Sequence, residues 1–125
     1  MSQILKDAIQ KTIKQGKQSL NKYGLCAYRS TLEPKGLKCL VGRLIPNRKY
    51  SERLENDGIR ELAATNMYYK KYGSPTEADL KHLIHAQECH DTAYEYDFVN
   101  SFKSSITMAV RLGELPESCL DYMKI

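Results

Sequence analysis

The stretch Leu25-Cys-Ala-Tyr-Arg29, followed by Leu37-Lys-Cys-Leu-Val-Gly-Arg-Leu-Ile-Pro46, decides how this chain is read. Leu25 to Tyr28 and Leu37 to Val41 are apolar apart from Lys38, and the connector Ser30 to Gly36 carries the turn residues Pro34 and Gly36. The pattern predicts two short strands paired as a small β-hairpin. Such a hairpin holds Arg29 and Lys38 near its turn, where a guanidinium and an ammonium meet one anion. Gly42 follows at a point where the backbone is expected to pass close to another group. The combination suggests a site for a phosphorylated small molecule.

Outward from this stretch the chain reads as helical. Leu5, Ala8, Ile9, Thr12 and Ile13 recur at helical spacing behind a Ser2 cap. They predict an amphipathic N-terminal helix continuing past Gly16 to about Leu20. Pro46, Asn47 and Asn56-Asp57-Gly58 mark irregular structure around Tyr50 and Leu54. A second helix is expected from Ile59 to about Tyr69, stopping at Gly73. Ser74-Pro75-Thr76-Glu77 reads as a capping box with Ser74 as the cap. The helix it opens carries Leu80, Leu83, Ile84 and Gln87 and ends near His90-Asp91. A last long helix places Phe98, Phe102, Ile106, Ala109 and Leu112 on one stripe, with Gly113 as its stop. Pro116 and a short amphipathic tail with Leu120 and Met123 follow. The expected architecture is one domain over residues 1–125, mainly α with a small β-hairpin (α+β): an N-terminal helix, the hairpin and three further helices.

At 125 residues the chain supports one core, and oligomerisation would help it. The narrow apolar stripe of the first helix makes it a natural dimer element, so a homodimer or higher even oligomer is expected. Hydrophobic residues make up 42% and the mean hydropathy is −0.54, and no apolar run approaches the ~20 residues of a membrane-spanning helix. The Lys-rich start lacks the apolar block and cleavage site of a signal peptide. Four unevenly spaced cysteines then suggest reduced thiols in a cytoplasm, not a disulfide framework.

The net charge of +4 hides an asymmetry. Residues 1–53 carry twelve Lys/Arg against three Asp/Glu, whereas residues 54–125 carry seven against twelve. A split of this kind fits an anion-binding half, or two halves that neutralise each other within the fold or across a dimer. Lys6, Lys11, Lys14, Lys17 and Lys22 lie mostly off the apolar stripe, so a solvated basic helix face accounts for much of it. Aromatic residues do not interleave with these lysines, which makes nucleic acid a minor expectation.

Residues capable of chemistry are few. His82, His85, Cys89 and His90 crowd together and, with Cys26 and Cys39, offer zinc-type ligands, but the spacing matches no standard finger or ribbon. Packing as small hydrophobes is the better reading of Cys26, Cys39 and Cys89. The pair His90-Asp91 suits a metal-dependent phosphohydrolase only if other helices add ligands. Neither a Gly-x-Ser-x-Gly elbow nor a Gly-rich phosphate loop occurs. The expectation is therefore no enzyme, no metal and no cofactor. Among nine tyrosines, Tyr68, Tyr69, Tyr72, Tyr94 and Tyr96 fall near helix ends, where they anchor helices or stack on a base. Tyr28 beside Arg29 adds a ring to the proposed anion site.

Taken in order, Cys26-Ala-Tyr-Arg29, Lys38-Cys39-Leu-Val41-Gly42-Arg-Leu44-Ile45-Pro46, Tyr50 with Glu55, and Gln87 before His90-Asp91 form a series. It resembles a family of small bacteriophage-encoded proteins with the pattern Cys-x-Tyr-Arg, Lys-Cys-x-Val-Gly-x-Leu-Ile-Pro and a later helical His-Asp. It is also similar to the phage anti-Thoeris sponges, which bind cyclic ADP-ribose isomers made by host immune TIR enzymes and hold them intact. The likeness spans about residues 4–113. The chain departs from the pattern in a longer Ser30–Leu37 connector and in Asn47, where an acid commonly follows Ile-Pro. The resemblance implies non-catalytic sequestration of a cyclic nucleotide immune signal in the host cytoplasm. Its expected ligand-binding residues are Tyr28, Arg29, Lys38, Cys39, Leu40, Val41, Gly42, His90, Asp91 and Arg111. Arg29 and Arg111 would clamp a pyrophosphate, the Cys39–Gly42 main chain would approach a ribose or base, and His90 and Asp91 would bond ribose hydroxyls or fix the hairpin. The alternatives are a phage inhibitor that binds a host protein and a nucleic-acid-binding protein.

Overall fold

The computed structural model describes residues 2–31 and 36–125, and the expected turn at Pro34 lies outside the described residues. Five α-helices appear among them: α1 (Gln3–Gln15), α2 (Ile59–Ala64), α3 (Glu77–Asp91), α4 (Phe98–Arg111) and α5 (Ser118–Tyr122). The segment between α1 and α2 is irregular, with single 3-10 turns at Gly42–Leu44 and Asn47–Lys49 and a longer one at Glu52–Asn56. A further 3-10 turn, Lys70–Tyr72, precedes α3. Among the described residues, no helix is long and apolar enough to cross a membrane.

α1 forms as its periodicity requires, with the Ser2 hydroxyl accepting the Leu5 N–H. It stops at Gln15, five residues short of the expected end. Gly16 takes φ 75° and donates its N–H to Thr12 O, a left-handed cap that ends a helix where it falls. α2 is also shorter than expected, because Asn66 at φ 57° turns the chain away two residues beyond it. The cap of α3 is Thr76, not Ser74. Its hydroxyl accepts from Asp79 N at 3.1 Å while the Asp79 carboxylate accepts from Thr76 N at 3.2 Å, so the capping box lies two residues later than the Ser-Pro pair suggested.

The apolar stripes meet at one core. α1 packs on α3, on α5 and on the Gly42–Leu44 turn, while α4 packs on α3 and α5, and α2 on α3. Leu5, Ala8 and Ile9 of α1, Leu83 of α3, Phe102 and Ile106 of α4, and Leu40, Val41, Leu44 and Ile45 of the irregular segment are fully buried there. Each large side chain so buried contributes about 1.5–3 kcal/mol of apolar transfer. Leu112, expected on the α4 stripe, is exposed at the C-cap.

The expected β-hairpin is absent, and among the described residues there is no strand. The run ending at Cys26 pairs backwards instead: Leu20 and Cys26 form one isolated antiparallel bridge across a turn held by the Asn21 side chain. Side chains take the donors that a hairpin ladder would use. Glu55 accepts both Tyr28 N (2.8 Å) and Arg29 N (3.1 Å), Gln15 accepts Lys38 N (3.0 Å), and Gln87 accepts Val41 N (2.9 Å). With Lys38 N–H taken by α1 and Val41 N–H by α3, the second run folds into the core as a coil, while the 52–56 turn takes the donors of the first run.

Candidate functional site

Arg29 organises the irregular segment. Its Nη1 donates to Tyr28 O at 3.2 Å and to Gly42 O, and its Nη2 donates to Ile45 O at 2.8 Å and to Asn47 Oδ1 at 3.3 Å. Tyr50 lies under the guanidinium, with the ring centroid 4.7 Å from Cζ, and donates its hydroxyl to Glu55 at 2.5 Å. Four of the five guanidinium N–H donors thus serve the protein itself. Burial lowers the Arg29 pKa from its usual value, and Tyr50, Cys39 and Glu55 oppose that shift. Arg29 is a clasp of the fold before it is anything else.

Gly42 is explained by the same clasp. A Cβ on it would stand 2.3 Å from Tyr28 O, so the close approach read from the sequence is made by the chain's own backbone. Cys39, Leu40 and Val41 are wholly buried, which leaves none of their side chains to a ligand in solution. Tyr28 is half-buried, and its hydroxyl donates to Asp57 O. Burial pushes its phenol well above the ordinary value, so it stays neutral.

A second network closes behind this loop. Val41 N–H can only donate, which fixes the Gln87 amide with Oε1 toward it and Nε2 toward Asp91 Oδ1 at 2.8 Å and Cys26 Sγ at 3.2 Å. His90 is fully buried. Ser19 N–H points at its Nε2 at 3.3 Å, so Nε2 accepts and the proton sits on Nδ1, 2.8 Å from Asp91 Oδ1. Burial alone would raise the Asp91 pKa; the hydrogen bonds from His90, Gln87 and Cys26 outweigh it and hold the carboxyl below the usual carboxylate range.

Cys26, His90 and Asp91 carry three ligand-type atoms within 4.8 Å of one another, a cluster on which a cation site is worth testing. The hydrogen bonding argues against one. A metal on Nδ1 would displace the proton shared with Asp91 while Nε2 still faces a backbone donor, and the Gln87 amide nitrogen already contacts all three groups. The other sequence-level ligands do not join this cluster. His85 Nδ1 lies 3.3 Å from Glu114, and Cys89 is a buried free thiol, as are Cys39 and Cys119.

What remains outward-facing is charge. Lys38 donates to Asn47 Oδ1 at 3.3 Å, and Arg43 donates through Nη2 to Gln15 Oε1 while its buried Nε has no acceptor. Among the described residues, no carboxylate forms an ion pair with Arg29, Lys38 or Arg43. Burial, then Arg29, Arg43 and Lys11 in turn, lower the Lys38 pKa, which records like charges crowded together. Arg111 is elsewhere: it is exposed in the last turn of α4 and borders a shallow surface depression with Asn100, Lys103 and Thr107.

Sequence reading brought Tyr28, Arg29, Lys38 and Gly42 to one loop, and His90 with Asp91 to one network. It missed Arg43 as a member of the cation cluster, and Gln15 and Asn47 as the amides that hold the cations in place. No periodicity marks such side chains, because their partners in this cluster lie nine or more residues away. Compared with known proteins, the chain matches no family model, and no curated protein or solved structure is similar to it at a significant level.

Proposed function

We propose that this protein binds and sequesters an anionic nucleotide-type small molecule without turning it over, in the manner of the phage anti-defence sponges that its central motif resembles. The observation that carries the reading is Lys38 and Arg43 beside the Arg29 clasp: Arg29, Arg43 and Lys11 lie close enough to Lys38 to add to the lowering of its pKa by burial, and none of the four forms an ion pair among the described residues. Bringing like charges together costs free energy unless a counter-charge arrives, and a doubly negative phosphoryl group supplies it. Lys38 and Arg43 take the ligand-facing roles. Arg29 keeps the loop in shape beneath them, and the neutral buried His90 serves the fold. Sequestration needs binding and no chemistry, so cations and amides suffice.

Lysate from cells making a cyclic ADP-ribose isomer, passed over the immobilised protein, tests the reading. Heat release followed by mass spectrometry should recover the intact isomer from wild type, and much less from Lys38→Glu. Recovery of nothing, or of a cleaved product, overturns it. A salt-steep gel shift with DNA or RNA in place of ligand capture would favour the nucleic-acid alternative.

A further inference from the structure

A cavity of about 310 Å³, lined by none of Arg29, Lys38 and Arg43, lies between the end of α2, residues 66–70 and the Gly73–Pro75 turn. Its walls are apolar, formed by Ala63, the buried Tyr68 ring, Tyr69 and Pro75. Its polar groups are Lys49, Lys70, Asn66 and Ser74, and no acidic residue lines it. The Tyr68 hydroxyl is engaged by Ile59 O at 2.9 Å, so Tyr68 offers the cavity a ring and no donor. Tyr69 is fastened by its backbone N–H to Leu44 O at 2.9 Å, and its ring meets Tyr72 edge-on. These walls are built in place, not assembled by a guest.

Lys49 is held at one side by a 2.7 Å bond to Asn66 O, which uses one of its three N–H donors and leaves two. Asn66 presents that carbonyl from a left-handed backbone (φ 57°), a conformation a non-glycine residue adopts at some cost. Lys70 makes no ion pair among the described residues. The cavity therefore combines flat apolar walls with two cations and no counter-charge. At this volume it falls at the small end of ligand pockets, which span about 300–1,000 Å³. One ring system and one anionic group match it in size.

We infer that this cavity is a second binding site, taking a planar aromatic molecule with one anionic end, its ring against Tyr68, Tyr69 and Pro75 and its anion at Lys49 and Lys70. A nucleoside monophosphate and an aromatic carboxylate share that chemistry. The inference does not depend on the Lys38 cluster.

Amide-resolved NMR titration of the full chain with adenosine monophosphate, benzoate and inorganic phosphate tests it. The expected result is saturable shifts at residues 63–75 with one or both aromatic anions, and at least tenfold weaker binding of phosphate alone. The relative strength of the two aromatic anions identifies the source. Lys49→Ala/Lys70→Ala should weaken aromatic binding about tenfold, while Lys38→Glu leaves it unchanged. Because both lysines are on the surface, the fold of the double variant is checked by its amide spectrum, and Lys70→Glu is the backup. Shifts confined to the Lys38–Arg43 region, equal binding of phosphate alone, or indifference to the lysine changes would each overturn the inference.

Discussion

At the residue scale, Glu55 is the side chain that sequence reading undervalued most. One half-buried carboxylate accepts Tyr28 N–H, Arg29 N–H and the Tyr50 hydroxyl, and the Tyr50 ring in turn supports the Arg29 guanidinium. Glu55→Ala strands all three donors. Partial access to water reduces the cost of each, so a loss of about 3 kcal/mol is expected in urea denaturation. A loss within 0.5 kcal/mol, on the order of an ordinary surface change, would show that Glu55 does not hold the loop. The identities of Tyr28, Arg29 and Gly42 were legible as a constellation because their types are chemically distinctive. Their direction was not: a strand motif does not reveal whether an arginine reaches outward to a ligand or inward to Gly42 and Ile45 carbonyls.

At the element scale, the helices were legible and their ends were less so. Apolar spacing located α1, α3 and α4 because periodicity is a property of many residues together. Ends depend on single residues such as Gly16 and Thr76, where neighbouring candidates compete. The hairpin failed for a physical reason: Gln15, Glu55 and Gln87 satisfy its donors from distant parts of the chain, and β-like composition cannot anticipate that. Asp91 ties the C-terminal turn of α3 to this loop, with a consequence for acid stability. Its folded pKa is depressed relative to an unfolded value of about 3.9. The carboxylate therefore contributes stability that is present above roughly pH 4 and is lost as pH falls through the folded value. Asp91→Asn should have a lower urea midpoint than wild type at pH 7, and the gap should close towards pH 3. A gap that stays constant between those pH values contradicts the assigned role.

At the scale of the whole molecule, the charge asymmetry seen in the sequence has a structural counterpart. The first half holds α1 and the cation-bearing loop, and it places Arg29, Arg43 and Lys11 within electrostatic reach of Lys38. The acidic second half supplies ion pairs elsewhere, such as Arg60 with Glu77 and Lys124 with Asp121, and among the described residues none of its carboxylates forms an ion pair with that cluster. Arg111, placed with the site on sequence grounds, stands exposed on α4 away from these residues, because which face of a helix meets a distant loop is set by packing and not by spacing. We propose that the cations around Lys38, which form no ion pair among the described residues, hold a phosphorylated guest. Isothermal titration of wild type, Lys38→Glu and Arg43→Glu with cyclic ADP-ribose isomers tests it most directly. Saturable heat with wild type is expected for at least one isomer, with a loss of at least tenfold in affinity in each variant, about 1.4 kcal/mol or more; no heat with any isomer, or equal binding by all three proteins, would contradict this reading.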